Sequence, residues 1–365
     1  MKERRVLFPV STPLSFSVIE PLLQHLARDS RIEILITVRH GGRKLAAQCL
    51  RVPFTYVSGL PARFRRFDAA VCSGFFFHSR KIGQLVELFH GVSPKNYAVR
   101  DEVERFDRLF LIGEYHRRKF VRAGLLGEAD PRGLKIGMPK TDRLVHQEQA
   151  GGGDRSELIR ALELDVDRPT VLYAPTRSGE SGSSLDRIGL ELIDRLARMP
   201  VNLLVKLHDR SLKRFRKKLK LDYERLIGER EPGSRIRLIR SHDVIPSLLA
   251  ADLLITDLSS VGSEFLLCDR PVIYLSVPEH EQKIRASSIR RFGADDPEDL
   301  DYLRGAGEVI AGSERLQAAV ERALEDPMGD SAKRRERAEL LFYNPGQATE
   351  HALSALYELL DLEAP

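Results

Sequence analysis

Short apolar runs alternate with helical patterns along the whole of this chain, and that alternation leaves few folds open. Arg4–Val10 (RRVLFPV), Arg31–Val38 (RIEILITV), Arg66–Ser73, Gln84–His90 and Arg108–Gly113 read as strands, and Val18–Ala27 carries apolar residues at helical spacing. Strand-length runs separated by amphipathic segments mark βα units of a parallel, doubly wound sheet. The pattern breaks at Gln147–Asp154 (QEQAGGGD), where three consecutive glycines in polar company read as a flexible linker. It then resumes with strands at Thr170–Ala174, Val201–Leu207, Arg235–Ile239, Asp252–Thr256 and Pro271–Leu275, and helices at Gly189–Arg198, Ser211–Leu226 and Ser259–Leu267. The tail from Glu314 is helical, interrupted at Asn344–Gly346.

Two such series predict an α/β protein of two domains, and 365 residues suit that number. The expected divisions are 1–150, 151–345 and a C-terminal helix at 346–365 that packs back on the first domain. Ligands in such folds bind at the carboxyl ends of the strands, so a cleft between the two domains is the expected active site. Cys49, Cys72 and Cys268 are scattered and form no C-x-x-C pair, which argues against a zinc ribbon and fits a reducing cytoplasm. The start, MKERR followed by VLFPVSTPLSFSVI, imitates a signal peptide, but Pro9, Pro13 and the interleaved hydroxyl residues break its core, so a first strand is expected. No apolar run is long enough to span a bilayer. The formal net charge of +5 points to an acidic partner: nucleic acid, an anionic membrane surface or a phosphate-rich substrate.

The informative polar residues stand where strands end. Leu88-Phe89-His90-Gly91-Val92-Ser93-Pro94-Lys95 puts an imidazole at a carboxyl end, where it could take a proton from an attacking hydroxyl near neutral pH. Ile136 to Asp142 (IGMPKTD) enters a Gly/Pro turn and then the cation Lys140; a plain turn is the competing reading. Leu172 to Gly179 (LYAPTRSG) ends a buried strand in Thr176 and Arg177, and a guanidinium there can fork onto a phosphate. Val205-Lys206-Leu207-His208-Asp209 ends a second strand in a histidine. Leu253 to Phe265 (LLITDLSSVGSEF) closes a strand at Thr256-Asp257 and opens a helix near Ser259 and Ser260. Those hydroxyls are helix caps, and a helix start is also an anion site. Glu264, one turn in, either accepts from ribose hydroxyls or pairs with Arg270.

Other motifs carry less. Phosphate loops, G-x-G-x-x-G and G-x-S-x-G elbows are missing. Asp165-Val166-Asp167 sits in a turn, so no metal site is expected. Lys213–Leu221 (KRFRKKLKL), Arg63–Phe67 (RFRRF) and His116–Arg122 (HRRKFVR) are basic stretches, either solvated faces or contacts to an anionic membrane. Aromatic residues are too few and scattered for a nucleic-acid stacking surface.

The motifs follow an order that resembles the CDP-glycerol glycerophosphotransferase family of teichoic acid and capsule synthesis. The carriers are His90-Gly91, Gly137 to Asp142, Tyr173 to Arg177, Lys206-Leu207-His208, Thr256 to Val261, Arg270 to Tyr274 and Asn344 to Glu350. The resemblance implies a GT-B fold of two Rossmann-like domains. It implies His90 as the catalytic base with His208 as its counterpart in the second domain. Donor phosphates would be held by His208, Arg177, Thr176, Thr256, Asp257, Ser259, Ser260 and Glu264, and Lys95 and Lys140 would lie on the acceptor side. Glycerol phosphate, or a related polyol phosphate, would pass from a CDP-linked donor to a hydroxyl of a lipid-linked saccharide or polymer, with release of CMP. No cofactor beyond the donor nucleotide and no metal is implied. The expected location is the inner face of the cytoplasmic membrane, as a peripheral protein. Two alternatives share the architecture: a sugar-nucleotide glycosyltransferase or epimerase, and a non-enzymatic scaffold of polysaccharide export.

Overall fold

The structure, a computed structural model, describes residues 3–39, 42–75, 77, 79–92, 98–150, 155–179, 182–212, 221–295 and 298–365. The expected linker glycines at 151–153, Lys95 and most of the basic stretch at 213–220 lie outside them. The chain divides into two units. Unit 1 draws on 1–92, 96–143 and 339–365, and unit 2 on 93–95 and 144–338. The main crossing into unit 2, between 143 and 144, falls inside the helix Pro139–Gln149, a few residues before the glycines.

Among the described residues, unit 1 holds a seven-stranded sheet: β1 (Arg4–Val10), β2 (Ile32–Val38), β3 (Thr55–Tyr56), β4 (Phe67–Cys72), β5 (Ile82–Leu88), β6 (Arg108–Leu111) and β7 (Gly133–Lys135). Their order is β3-β2-β1-β4-β5-β6-β7, and every pairing is parallel. Unit 2 holds six more: β8 (Thr170–Tyr173), β9 (Asn202–Val205), β10 (Ile236–Leu238), β11 (Leu253–Thr256), β12 (Val272–Leu275) and β13 (Glu308–Ile310). They run β10-β9-β8-β11-β12-β13, again all parallel. Both are doubly wound Rossmann orders. Each therefore has a switch point, between β1 and β4 and between β8 and β11, where the chain leaves in opposite directions and a crevice opens at the carboxyl ends.

The sequence explains why these runs become central strands. β8, β9, β11 and β12 are buried at every position, as expected for strands covered on both faces by helices. The helix Pro13–Leu26 is set by Thr12, whose hydroxyl accepts from the Ser15 amide at 3.3 Å. It lays Ile19, Leu22, Leu23 and Leu26 on β1 and β2.

Unit 1 is completed by the far end of the chain. The helix Ala348–Leu359 buries Ala352, Leu356 and Tyr357 in the same cluster as β1 and β2. Fully burying a leucine-sized side chain contributes about 1.5–3 kcal/mol. Two of the sequence motifs meet here. Asp142 accepts from the Ala348 and Thr349 amides at 3.1 and 2.6 Å and so caps this helix. Gly137, at φ +102°, packs so closely on the Tyr343 carbonyl that a Cβ would stand 2.2 Å from it. Asn344 donates to the Lys135 and Ile136 carbonyls at 2.8 and 3.1 Å. The Gly137–Asp142 turn and the Asn344–Glu350 turn are thus two halves of one lock.

Candidate functional site

The switch point of unit 2 gathers most of the residues singled out in the sequence. The segment leaving β8 carries Thr176 and Arg177, that leaving β11 carries Asp257, Ser259 and Ser260, and β9 alongside delivers Lys206 and His208. Asp257 is the organiser. Only 1% exposed, it accepts from the Thr176 amide at 2.7 Å, the Ser184 amide at 3.0 Å and the Ser184 hydroxyl at 2.9 Å. Thr256 is fully buried and donates its hydroxyl to the Ala174 carbonyl at 2.6 Å. Ser183 adds a bond to the Thr176 carbonyl, and the Ser211 hydroxyl receives the Ser178 amide. Thr256 and Asp257 therefore pin the two loops together rather than forming their outer surface. Ser183 and Ser184 turn their hydroxyls inward, to Asp257.

The outer surface is left to half-buried Arg177, Ser259 and Ser260 and exposed His208. Ser259 caps the short helix Ser260–Phe265 through its hydroxyl and the Val261 amide, at 3.4 Å. His208 caps the turn Asp209–Ser211: its Nδ1 accepts from the Arg210 amide at 3.0 Å. The proton of the neutral ring is then on Nε2, as an N–H donor. Crowding at the base of the ring lowers its pKa below the ordinary value, and the positive charges of Arg177, Arg210 and Lys206 push the same way against Asp209. One edge of the ring meets solvent. A neutral donor surrounded by cations is matched to phosphate oxygens. Asp209 itself is held ionised by His242, whose Nδ1 lies 3.0 Å from its carboxylate.

Glu264 is 2% exposed, inside the short helix. Its alternative partner, Arg270, is engaged elsewhere: the guanidinium forks onto Glu148 with two contacts of 2.8 Å and reaches the Leu249 and Ala251 carbonyls. Asp165 closes its own turn on the Asp167 amide and Arg168. Among the described residues no group of three His, Cys, Asp or Glu side chains is placed to hold a metal.

In unit 1, His90 stands exposed two residues beyond β5. Close to it lies His116, which the sequence placed at the head of a basic stretch read as a solvated face or a membrane contact and which the structure buries. It is 5% exposed, sits between the rings of Phe89 (4.4 Å) and Phe120 (4.9 Å), and accepts the Ile112 amide at Nδ1 over 3.4 Å. Burial, then the charges of Lys119 and His90, lower its pKa to about 3. Lys140 is 6% exposed on the helix Pro139–Gln149, interior rather than on an open face. Glu87, three residues before His90, is new: a lone carboxyl inside a buried strand, and its interruption of the apolar run LVELF was the available signal.

Residues 86–286 match the profile of the CDP-Glycerol:Poly(glycerophosphate) glycerophosphotransferase family. The chain belongs to that family. The matched segment contains His90, Arg177, His208 and the Ser259–Ser260 helix start, and leaves the Asn344–Glu350 turn outside. A curated relative, the teichoic acid glycerol-phosphate primase of Bacillus subtilis (strain 168), is 25% identical over 214 residues, 54% of this chain and 51% of the relative. The chain thus spans about half the length of that protein. Among solved structures, the wall teichoic acid polymerase TagF is 17% identical with a TM-score of 0.64, covering 99% of this chain and 90% of its own. The UDP-GlcNAc 2-epimerase from Neisseria meningitidis, solved with UDP-GlcNAc, is 13% identical with a TM-score of 0.64, covering 97% and 100%. These likenesses establish the fold, two Rossmann-like units of the GT-B class.

Proposed function

We propose that this family member transfers glycerol phosphate from CDP-glycerol to a hydroxyl of a lipid-linked saccharide or cell-surface polymer, releasing CMP. The observation that carries the reading is the cation-lined switch point of unit 2, built from the residues inside the family match. A structure of TagF was obtained with a CDPG soak. In this reading Arg177, the Nε2–H of His208 and the helix start at Ser259–Ser260 hold the diphosphate, with Thr256 and Asp257 fixing the loops that present them. His90 takes the proton of the acceptor hydroxyl. The new bond forms between that oxygen and the glycerol-bearing phosphorus, and the bond from that phosphorus to the bridging oxygen breaks. CMP leaves with the electron pair. Such transfers depend on in-line positioning and on neutralising the phosphoryl oxygens. The nucleotide enters as substrate rather than as a resident cofactor.

The test is to incubate the protein with CDP-glycerol, CDP-ribitol and UDP-sugars, following CMP and UDP release and ³¹P spectra. CMP from CDP-glycerol supports the reading. UDP from a UDP-sugar, with no turnover of either CDP-polyol, overturns it.

We also propose peripheral attachment to the anionic inner face of the cytoplasmic membrane through unit 1. Among the described residues no helix is long and apolar enough to cross a membrane. Leu60 and Phe64 are 70% and 66% exposed and stand among exposed Arg63, Arg65 and Arg66. Apolar side chains ringed by cations suit a negatively charged lipid surface. Sedimentation with phosphatidylglycerol vesicles should fall on Leu60→Ser/Phe64→Ser, and unchanged sedimentation would refute this assignment.

A further inference from the structure

The switch point of unit 1 carries a second polar cluster that the proposed chemistry leaves unused. Ser73 follows β4, the strand paired with β1 at that point. Glu87 on β5 is in register with Cys72, so the Ser73-Gly74-Phe75 turn lies beside its carboxyl. Gly74 makes this turn at φ +132°, a conformation open to glycine. Arg105 enters from the helical turn Asp101–Arg105 and donates through Nη2 to the Phe75 carbonyl at 2.5 Å. Its charge is felt by both Glu87 and Cys72.

Three buried atoms of this cluster have no hydrogen-bond partner among the described residues: Ser73 Oγ, Glu87 Oε2 and Arg105 Nε. Ser73 is 3% exposed and Glu87 1%. Arg105 and Glu87 form no ion pair among the described contacts, although the Arg105 charge acts on the carboxyl. A buried polar atom left without a partner is destabilising. A single hydroxyl-sized group that accepts from Arg105 and exchanges hydrogen bonds with Ser73 and Glu87 would relieve all three. One bound water with two to four partners has this requirement.

We propose that Glu87, with Ser73 and Arg105, closes around one such hydroxyl-sized group and thereby acts as a positioning residue for His90, fixing the end of β5 on which that base stands. The inference rests on the reading of His90 as base. The link is short: Leu88 and Phe89 alone separate the two residues, and both are buried. Burial raises the Glu87 pKa well above the ordinary carboxylate value, against the Gly74 amide and Arg105. Burial thus favours the neutral acid, which both donates and accepts. A carboxamide does the same, and a hydrocarbon does neither.

The test compares Glu87→Gln, Glu87→Leu and Ser73→Ala in the full chain. Misplacing a catalytic group by about 1 Å costs roughly 100-fold, so Glu87→Leu should lose about 10- to 100-fold in kcat with an unchanged KM for CDP-glycerol. Glu87→Gln should restore most of it, and Ser73→Ala should fall between. Glu87→Gln as inactive as Glu87→Leu, or Glu87→Leu at the wild-type kcat, overturns the proposal. A second readout is independent of turnover: the histidine ring NMR signal assigned by its loss in His90→Ala. It should move in Glu87→Leu and Ser73→Ala and stay in Glu87→Gln. An unmoved signal in Ser73→Ala and Glu87→Leu sinks the positioning role even if CDP-glycerol is not the donor. If Glu87→Leu fails to fold, Ser73→Ala and Glu87→Gln decide the question alone.

Discussion

The two sheets share a strand order, but their carboxyl ends are finished differently. In unit 2, one buried carboxylate at the end of β11, Asp257, receives amides and a hydroxyl of the loop that leaves β8, so the anion-facing surface is held by the chain itself. In unit 1, the comparable end keeps buried polar atoms on Ser73, Glu87 and Arg105 that the described chain does not pair. It also borrows its last helix from the C-terminus. A pre-built anion site suits a donor whose diphosphate is the same in every turnover. An end completed by a bound group suits the side where only a hydroxyl must be set in line.

The comparison can be broken most directly at the two histidines. His90→Ala should reduce transfer by about 10²- to 10⁴-fold, the usual worth of a general base, while CDP-glycerol still raises the melting temperature. His208→Ala should weaken that thermal shift itself. Lost donor binding in His90→Ala would move His90 to the donor side and erase the contrast. Next in size is Asp257→Asn. It leaves buried donors of Ser184 without their carboxylate, at about 1–3 kcal/mol for each. Both the melting temperature and the donor-induced shift should drop. Wild-type values for both would show that the loops of unit 2 are not held by this residue.

A smaller effect separates the units by pH. His116 is held neutral in the folded state with its pKa lowered to about 3, whereas an unfolded histidine titrates near 6.5. As pH falls below 6.5 the unfolded chain takes up the proton first, so this stability is present above about 6.5 and lost down to about 3. In His116→Gln, which keeps an acceptor for the Ile112 amide, the stability of unit 1 should depend less on pH in that window, read by urea melts at pH 7 and pH 5. An identical pH dependence in wild type and variant would contradict the assignment. The smallest expected change is Asp142→Ala, which removes the cap of the C-terminal helix and should cost about 1 kcal/mol. Amide exchange should quicken at Ala348–Leu359 and leave β8–β12 unchanged. Uniform quickening would mean that the tail supports more than unit 1.

Much of this was legible in the chain. The βα alternation reports burial on both faces, a property of each strand alone, so the two parallel sheets followed from periodicity. Strand-end residues such as His90, Arg177, His208 and Ser259 were legible because polar groups that end an apolar run must face the rim. Partners across the sequence were not. Asp257 read as a ligand because nothing local says that its oxygens turn toward Thr176 and Ser184. The sequence left Glu264 either a ribose acceptor or the partner of Arg270, and only the structure gives the guanidinium to Glu148, 122 positions from Arg270. The Gly137–Asp142 and Asn344–Glu350 motifs read as separate turns, yet they are one lock. Sequence alone determined what each segment must bury and where its polar groups must surface, since those depend on local pattern. Only the tertiary structure decided which polar groups hold the site together and which are left to meet a substrate, because hydrogen bonds are satisfied by proximity in space and not along the chain.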